Sequence, residues 1–145
     1  MNRIERFNLV SQALVEAKAI NLEGSPILVE GKKDVLALET LGFKGPIEIL
    51  NRGWPVDRVA VWMVENYSKP TIVLMDWDRT GGRLQRRLVD AFESLDYKVL
   101  TELRKTLSKA MRPETLCLED LKAFADELLE LMELIEPQAN ARPSL

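Results

Sequence analysis

The run Thr71-Ile72-Val73-Leu74-Met75, which ends on Asp76-Trp77-Asp78, constrains the fold of this chain more than any other feature. It is apolar at nearly every position and rich in β-branched residues at its start. A strand with two apolar faces has no side to turn to water and belongs in the middle of a parallel sheet covered by helices. Parallel neighbours need long crossovers, usually helical, and the rest of the chain supplies both parts. Ile27-Leu28-Val29, Ile47-Glu48-Ile49-Leu50 and Tyr97-Lys98-Val99-Leu100 read as further strands.

Between these strands the apolar residues recur at helical spacing. Asp34 can cap a helix carrying Val35, Leu38 and Leu41, which Gly42 closes. Pro55 suits the first turn of a helix with Val56, Val59, Ala60 and Met63 inward. After Gly81-Gly82 a third helix places Leu84, Leu88, Phe92 and Leu95 on one side. This alternation predicts an α/β fold with a mostly parallel four-stranded sheet flanked by helices. Additional helices are predicted over residues 3–20, over about 103–111, and over about 117–135. The 145 residues suit one domain, expected over 1–136, with 137–145 as a flexible polar tail.

The residue types that are missing narrow the chemistry. The chain has no histidine and one cysteine, Cys117. That removes histidine triads, the usual zinc and copper ligand sets and an intrachain disulfide. Cys117, between Leu116 and Leu118, reads as a small buried hydrophobe. Carboxylates, lysines and arginines remain, with hard cations such as Mg²⁺ as their natural partners. No apolar run reaches membrane-spanning length, and Met1–Arg6 lacks the apolar segment of a secretory signal, so a cytoplasmic protein is expected. The net charge of −3 hides a pattern: residues 79–112 carry nine basic and four acidic residues, and residues 113–145 two basic and eight acidic. A basic segment directly behind an acidic pair suits a polyanionic substrate.

In open α/β sheets ligands bind beyond the carboxyl ends of the strands. Glu30 ends the first strand, and Asp76 and Asp78 end the third. Alternation along a strand predicts that Asp76 and Asp78 point one way and Trp77 the other. If the first and third strands are neighbours, three carboxylates converge, and like charges so crowded call for a cation. Mg²⁺ bound by carboxylates keeps positions for phosphate oxygens. The flanks agree. Lys32 follows Gly31, which admits close backbone approach. Gly81 and Gly82 open a helix whose N-terminus favours phosphate. Arg79 and Arg83 are expected on phosphate, whereas Arg86 and Arg87 read equally well as solvated surface.

Two motif resemblances bear on this site. Asp76-Trp77-Asp78-Arg79-Thr80 is similar to the D-x-D-x-T of haloacid-dehalogenase-type phosphatases, but that motif closes the first strand of its domain and here it closes the third. Ile27–Val35, with its Glu30-Gly31, followed some 40 residues later by Ile72–Gly81, with its Asp76-x-Asp78 and later glycine, resembles the Toprim domain. That domain is shared by topoisomerases, primases, certain nucleases and recombination mediators. The resemblance covers about residues 24–102, and the chain as a whole is similar to small stand-alone Toprim proteins of archaea and to the Toprim part of the nuclease that matures small ribosomal RNA. It implies that Asp76 and Asp78 hold Mg²⁺, with Mn²⁺ able to substitute, and that Glu30 binds metal or transfers a proton. It also implies that Asn51, after the second strand, faces the same site. The tyrosine-bearing domain of a topoisomerase and the zinc module of a primase have no counterpart here.

The function expected is Mg²⁺-dependent phosphoryl transfer on RNA or DNA, of the strand-cleaving type. The alternative is a non-catalytic Toprim module that binds nucleic acid or acts as an adaptor. Trp54, beside Pro55, is placed to stack on a base at an exposed loop; Trp62 reads as core and Trp77 as packing behind the site. The acidic C-terminal helix, with Leu116, Leu118, Leu121, Phe124, Leu128 and Leu131, is expected to pair with the basic segment or to form a homodimer.

Overall fold

The computed structural model describes residues 1–140. Its four strands, β1 (Ile27–Val29), β2 (Ile47–Ile49), β3 (Thr71–Val73) and β4 (Val99–Leu100), form one parallel sheet in the order β2-β1-β3-β4. The fold is α/β, as expected. β1 and β3 are direct neighbours, with Ile27 opposite Ile72 and Leu28 opposite Val73. The condition for bringing Glu30 to Asp76 and Asp78 is therefore met.

Six α-helices surround the sheet: α1 (Arg3–Leu22), α2 (Lys32–Thr40), α3 (Val56–Asn66), α4 (Arg79–Ser94), α5 (Glu102–Ala110) and α6 (Ala125–Asn140). Strand alternation sorts them into two layers. Ile27, Val29, Ile72 and Leu74 face a core built from α1, α2, α5 and α6, including Phe7, Leu14, Leu38, Leu107 and Leu128. Leu28, Val73 and Met75 face the other way, onto Val59, Ala60 and Met63 of α3 and Leu88 and Phe92 of α4. Both faces of the two central strands are fully buried, which is why their sequence shows no polar alternation.

Three boundaries differ from the sequence reading. Asp34 is the third residue of α2, not its cap; its carboxylate reaches back to the N–H of Gly31 at 3.0 Å. The expected single helix over 117–135 is a 3₁₀ segment, Leu118–Phe124, followed by α6. The first N–H of that segment, of Leu118, which no helix satisfies internally, is taken by the Asp76 carboxylate at the sheet edge. Finally, α6 continues through Asn140, so the expected tail is helical over its first four residues, and residues 141–145 lie outside the described ones.

The acidic C-terminal segment packs on α1. Leu118, Leu121, Leu128 and Met132 are completely buried, in one core with Phe7, Val10 and Leu14. Its charges meet α1 as well: Arg6 pairs with Glu114 at 2.5 Å, Arg3 with Glu127 at 2.5 Å and Lys18 with Glu136 at 3.1 Å. Among the described residues, no ion pair joins these acids to the basic segment 79–112 of the same chain. Most of the apolar set that suggested a homodimer is covered within the chain, with Leu116 the exposed exception. Among the described residues, no helix is long and apolar enough to cross a membrane.

Candidate metal and phosphate site

The carboxyl edge of the sheet carries the candidate site. Glu30 follows β1, Asn51 follows β2, and Asp76 and Asp78 follow β3. Glu30 Oε2 accepts the backbone N–H of Asp76 at 2.7 Å, which fastens the two strand ends together. Asp76 Oδ1 accepts the N–H of Leu118 at 2.8 Å. Asp78 caps α4, its Oδ1 accepting the N–H of Gly81 at 2.7 Å. A carboxylate oxygen of Asp76, one of Asp78 and the Cys117 sulfur all lie within 4.8 Å of one another.

The two aspartates converge, as expected, but not because a strand alternates. Regular pairing stops at Val73, and Trp77 is buried in the same core layer as Leu74, where alternation would have sent it to the opposite one. The turn is fixed by hydrogen bonds. Trp77 donates its indole N–H to the Thr115 carbonyl at 2.7 Å and its backbone N–H to that of Leu116 at 3.0 Å. Gln85 holds both the Val73 carbonyl and the Met75 N–H, at 3.0 and 3.2 Å. Arg104, from α5, donates to the carbonyls of Met75 and Asp76 at 3.1 and 2.9 Å, and Arg112 to that of Trp77 at 3.1 Å. Segment 75–78 is thus braced from three sides.

Burial raises the carboxyl groups of Glu30, Asp76 and Asp34 above their usual range. For Glu30 the negative charges of Asp76, Asp34 and Asp78 add to this, opposed by the Asp76 N–H. For Asp76 the Leu118 N–H opposes burial, while Asp78 and Glu119 reinforce it. Burial lowers the Arg104 guanidinium from its ordinary value, and the acids nearby counter that. The Cys117 thiol is pushed up to about 11, by burial first and then by the surrounding carboxylates.

The donor set fits a hard divalent cation. Each of Glu30, Asp76 and Asp78 has one oxygen held by a backbone N–H, and its other oxygen meets no N–H or O–H donor among the described residues. Carboxylates oriented through one oxygen and open at the other are what such an ion takes, alongside water. A protonated thiol adds little for a hard ion.

The expected phosphate contacts divide. Lys32, exposed at the start of α2, and Asn51, exposed after β2, line a cleft of about 490 Å³ together with Glu30, Gly31, Lys33, Asp34, Ile49, Asp76 and Glu119. Arg79 and Arg83 are exposed on the first turns of α4, outside that cleft. Gly81 serves a different need from the one expected. Its N–H is taken by Asp78, and a Cβ there would lie 2.0 Å from the Asp76 carbonyl oxygen, so glycine is what lets α4 start against the site. Gly31 is unlike it: a Cβ there would meet nothing within 4 Å.

Sequence reasoning missed Gln85, Arg104, Glu119 and the proximity of Cys117. Gln85 left a trace, as a polar residue one step from the apolar stripe Leu84, Leu88 and Phe92. Arg104 and Cys117 left none, since their neighbours come from distant segments. Cys117 is half-buried beside two carboxylates, not an inert core residue.

An all-parallel α/β sheet whose carboxyl edge brings Asp76 and Asp78 within reach of one ion, with Glu30 bonded beside them to the Asp76 N–H, defines the class, a candidate metal-binding α/β domain. No family model matches the chain. The chain belongs to the UPF0292 proteins: it is 36% identical to the UPF0292 protein of Methanocaldococcus jannaschii over 72% of this chain and 80% of that one. The UPF0292 protein of Thermococcus onnurineus is 34% identical over 72% of this chain and 75% of its own length, and that of Methanosarcina acetivorans 28% over 86% and 85%. A solved structure of a putative protein from Aquifex aeolicus is similar with a TM-score of 0.62 and 28% identity, covering 76% of this chain and 95% of that one.

Proposed function

We propose that this protein is a Mg²⁺-dependent phosphoryl-transfer enzyme of the Toprim type that cleaves nucleic-acid strands in the cytoplasm. The observation that carries this reading is the set of three carboxylates, each turned by a backbone N–H so that one oxygen stays open, beside the exposed arginines of α4. Asp76 and Asp78 would hold the ion, with Mn²⁺ as a substitute, and Glu30 stands beside them on the Asp76 N–H. The ion, when bound, supplies Lewis acidity and a template for in-line displacement at phosphorus.

The chain's own groups do the rest. Arg79 and Arg83 bind the phosphates flanking the scissile one; among the described residues neither is in an ion pair. Lys32 and Asn51 hold the strand where it leaves the cleft. Glu30, half-buried in the cleft with one oxygen on the Asp76 N–H, is the group placed to take and return a proton. Arg104 and Gln85 keep segment 75–78 in place and act through it.

The test is cleavage of labelled single- and double-stranded RNA and DNA with Mg²⁺ or Mn²⁺, by wild type beside Asp76→Asn and Glu30→Gln. Metal-dependent cleavage by wild type, reduced at least about 100-fold in both variants, is the expected result. Equal activity in all three proteins overturns it. Metal-independent binding without cleavage by wild type replaces it with the adaptor reading.

A further inference from the structure

The loop after β2 builds a ladder of alternating aromatic and guanidinium groups. The Arg52 guanidinium carbon lies 4.8 Å from the Trp62 ring centre and 5.3 Å from that of Trp54, and Arg58 lies 4.3 Å from Trp54. Trp54 and Trp62 meet edge to face at 6.2 Å. The inner rung is fixed: Arg52 donates to the Ile49 carbonyl at 2.7 Å and to Glu48 at 3.1 Å. The outer rung is not. Arg58 is exposed and pairs with no carboxylate among the described residues, and Trp54 remains partly open on a loop turned by Gly53 at φ +81°.

The inner rung of the ladder, Arg52, reaches the surroundings of the carboxylate cleft. That cleft shares Lys32, Ile49 and Asn51 with a second hollow of about 330 Å³, which extends to Arg52. The strand order gives this a direction. β1, with Glu30, lies between β2, which leads to the ladder, and β3, which leads to Asp76, Asp78 and the arginines of α4. Phosphate-binding charge thus stands on one side of the carboxylates and a stacking surface on the other.

We infer that Trp54 and Arg58 form a base-stacking platform, and that the substrate is single-stranded where it leaves the site. Away from its ends a duplex offers no free π-face to an indole or a guanidinium plane, because its bases are already stacked on each other, whereas every unpaired base does. Stacking of this kind tolerates any base, so the platform selects strandedness without reading sequence. An unpaired cation at the outermost rung fits a polyanion. This inference rests on the nucleic-acid reading above but not on cleavage.

The experiment is binding in EDTA, at fixed salt, of a labelled ten-nucleotide single strand and a blunt duplex of the same length. Anisotropy and tryptophan quenching are read for wild type, Trp54→Ala, Trp54→Phe and Arg79→Ala. Wild type is expected to bind the single strand at least tenfold more tightly than the duplex, with quenching. Trp54→Ala weakens single-strand binding about tenfold or more and leaves duplex binding unchanged, while Trp54→Phe retains most of the affinity. Arg79→Ala weakens both nucleic acids. Circular dichroism melts keep a folding defect in Trp54→Ala from being read as lost contact, and Trp54→Phe decides if one is seen. Equal binding of both nucleic acids, no binding of either, or single-strand affinity unchanged in Trp54→Ala overturns the inference. Trp54-dependent binding with no cleavage in Mg²⁺ sinks the nuclease reading alone.

Discussion

Two acidic regions of this molecule are handled in opposite ways. Along the α1 seam three acids of the C-terminal segment meet bases: Glu114 with Arg6, Glu127 with Arg3, Glu136 with Lys18. At the carboxyl edge of the sheet Asp76 and Asp78 converge with Glu30 bonded to the Asp76 N–H, and the nearby arginine, Arg104, turns its guanidinium to backbone carbonyls instead. The carboxyl groups respond accordingly. Hydrogen bonding to Arg6 holds Glu114 below the usual glutamate range, whereas burial and mutual repulsion raise Glu30 and Asp76. Paired acids hold the fold together. Unpaired acids on a braced backbone are a standing tension that a bound cation would relieve.

The largest expected effect tests whether the two regions are separable. Leu128→Ala, on the buried face of α6, is expected to cost about 3 kcal/mol, or about 9 °C in melting temperature. It should leave Mg²⁺-dependent stabilisation unchanged; loss of that response would show that the seam and the sheet edge act as one unit. Next in size is the cation itself. At 100 times its Kd, Mg²⁺ stabilises a folded site by about 2.7 kcal/mol, roughly 8 °C here. Calorimetry should show this shift in wild type and not in Asp78→Asn, and show it shrinking on acidification as Glu30 and Asp76 take up protons.

The two smaller effects carry opposite signs. A carboxyl whose folded pKa is raised binds protons more tightly when folded, so stability falls as pH rises through its window. Glu30→Gln keeps the oxygen that accepts the Asp76 N–H and removes one charge. In metal-free protein at pH 7 it should therefore raise the melting temperature, after allowance for solvent screening by about 1–2 °C. Glu114 is the reverse case. Its stabilisation is present above the unfolded glutamate range and is lost as pH falls through its depressed folded pKa. Glu114→Gln should lower the melting temperature at pH 7, with the difference from wild type closing on acidification. Two variants of the same sign would break the contrast.

Much of this was legible. An apolar run with no alternation belongs in the centre of a parallel sheet in almost any context, so Thr71–Met75 announced its layer, and the helical spacing of Val56, Val59, Ala60 and Met63 announced the cover above it. Glu30, Asp76 and Asp78 were readable because their place in the chain, directly after strands, is also their place in space. The apolar face of the C-terminal leucines was readable too, but not what covers it, since periodicity marks a face without naming its cover; α1 covers most of this one. The basic segment was likewise readable as charge, but its freedom from the C-terminal acids was not.

What the sequence determined by itself is local: which segments are strands and helices, which faces are apolar, and that three acids and a basic helix start lie at strand ends. These follow from φ/ψ preference and burial, which a few neighbouring residues specify. Tertiary structure alone decided the strand order that joins Glu30 to Asp76 and the turn that sends Trp77 into the core. It also decided the braces from Gln85, Arg104 and Leu118, and the meeting of Arg52 and Arg58 with two tryptophans. Such contacts join segments tens of residues apart, and they depend on how the elements pack, which no local pattern encodes.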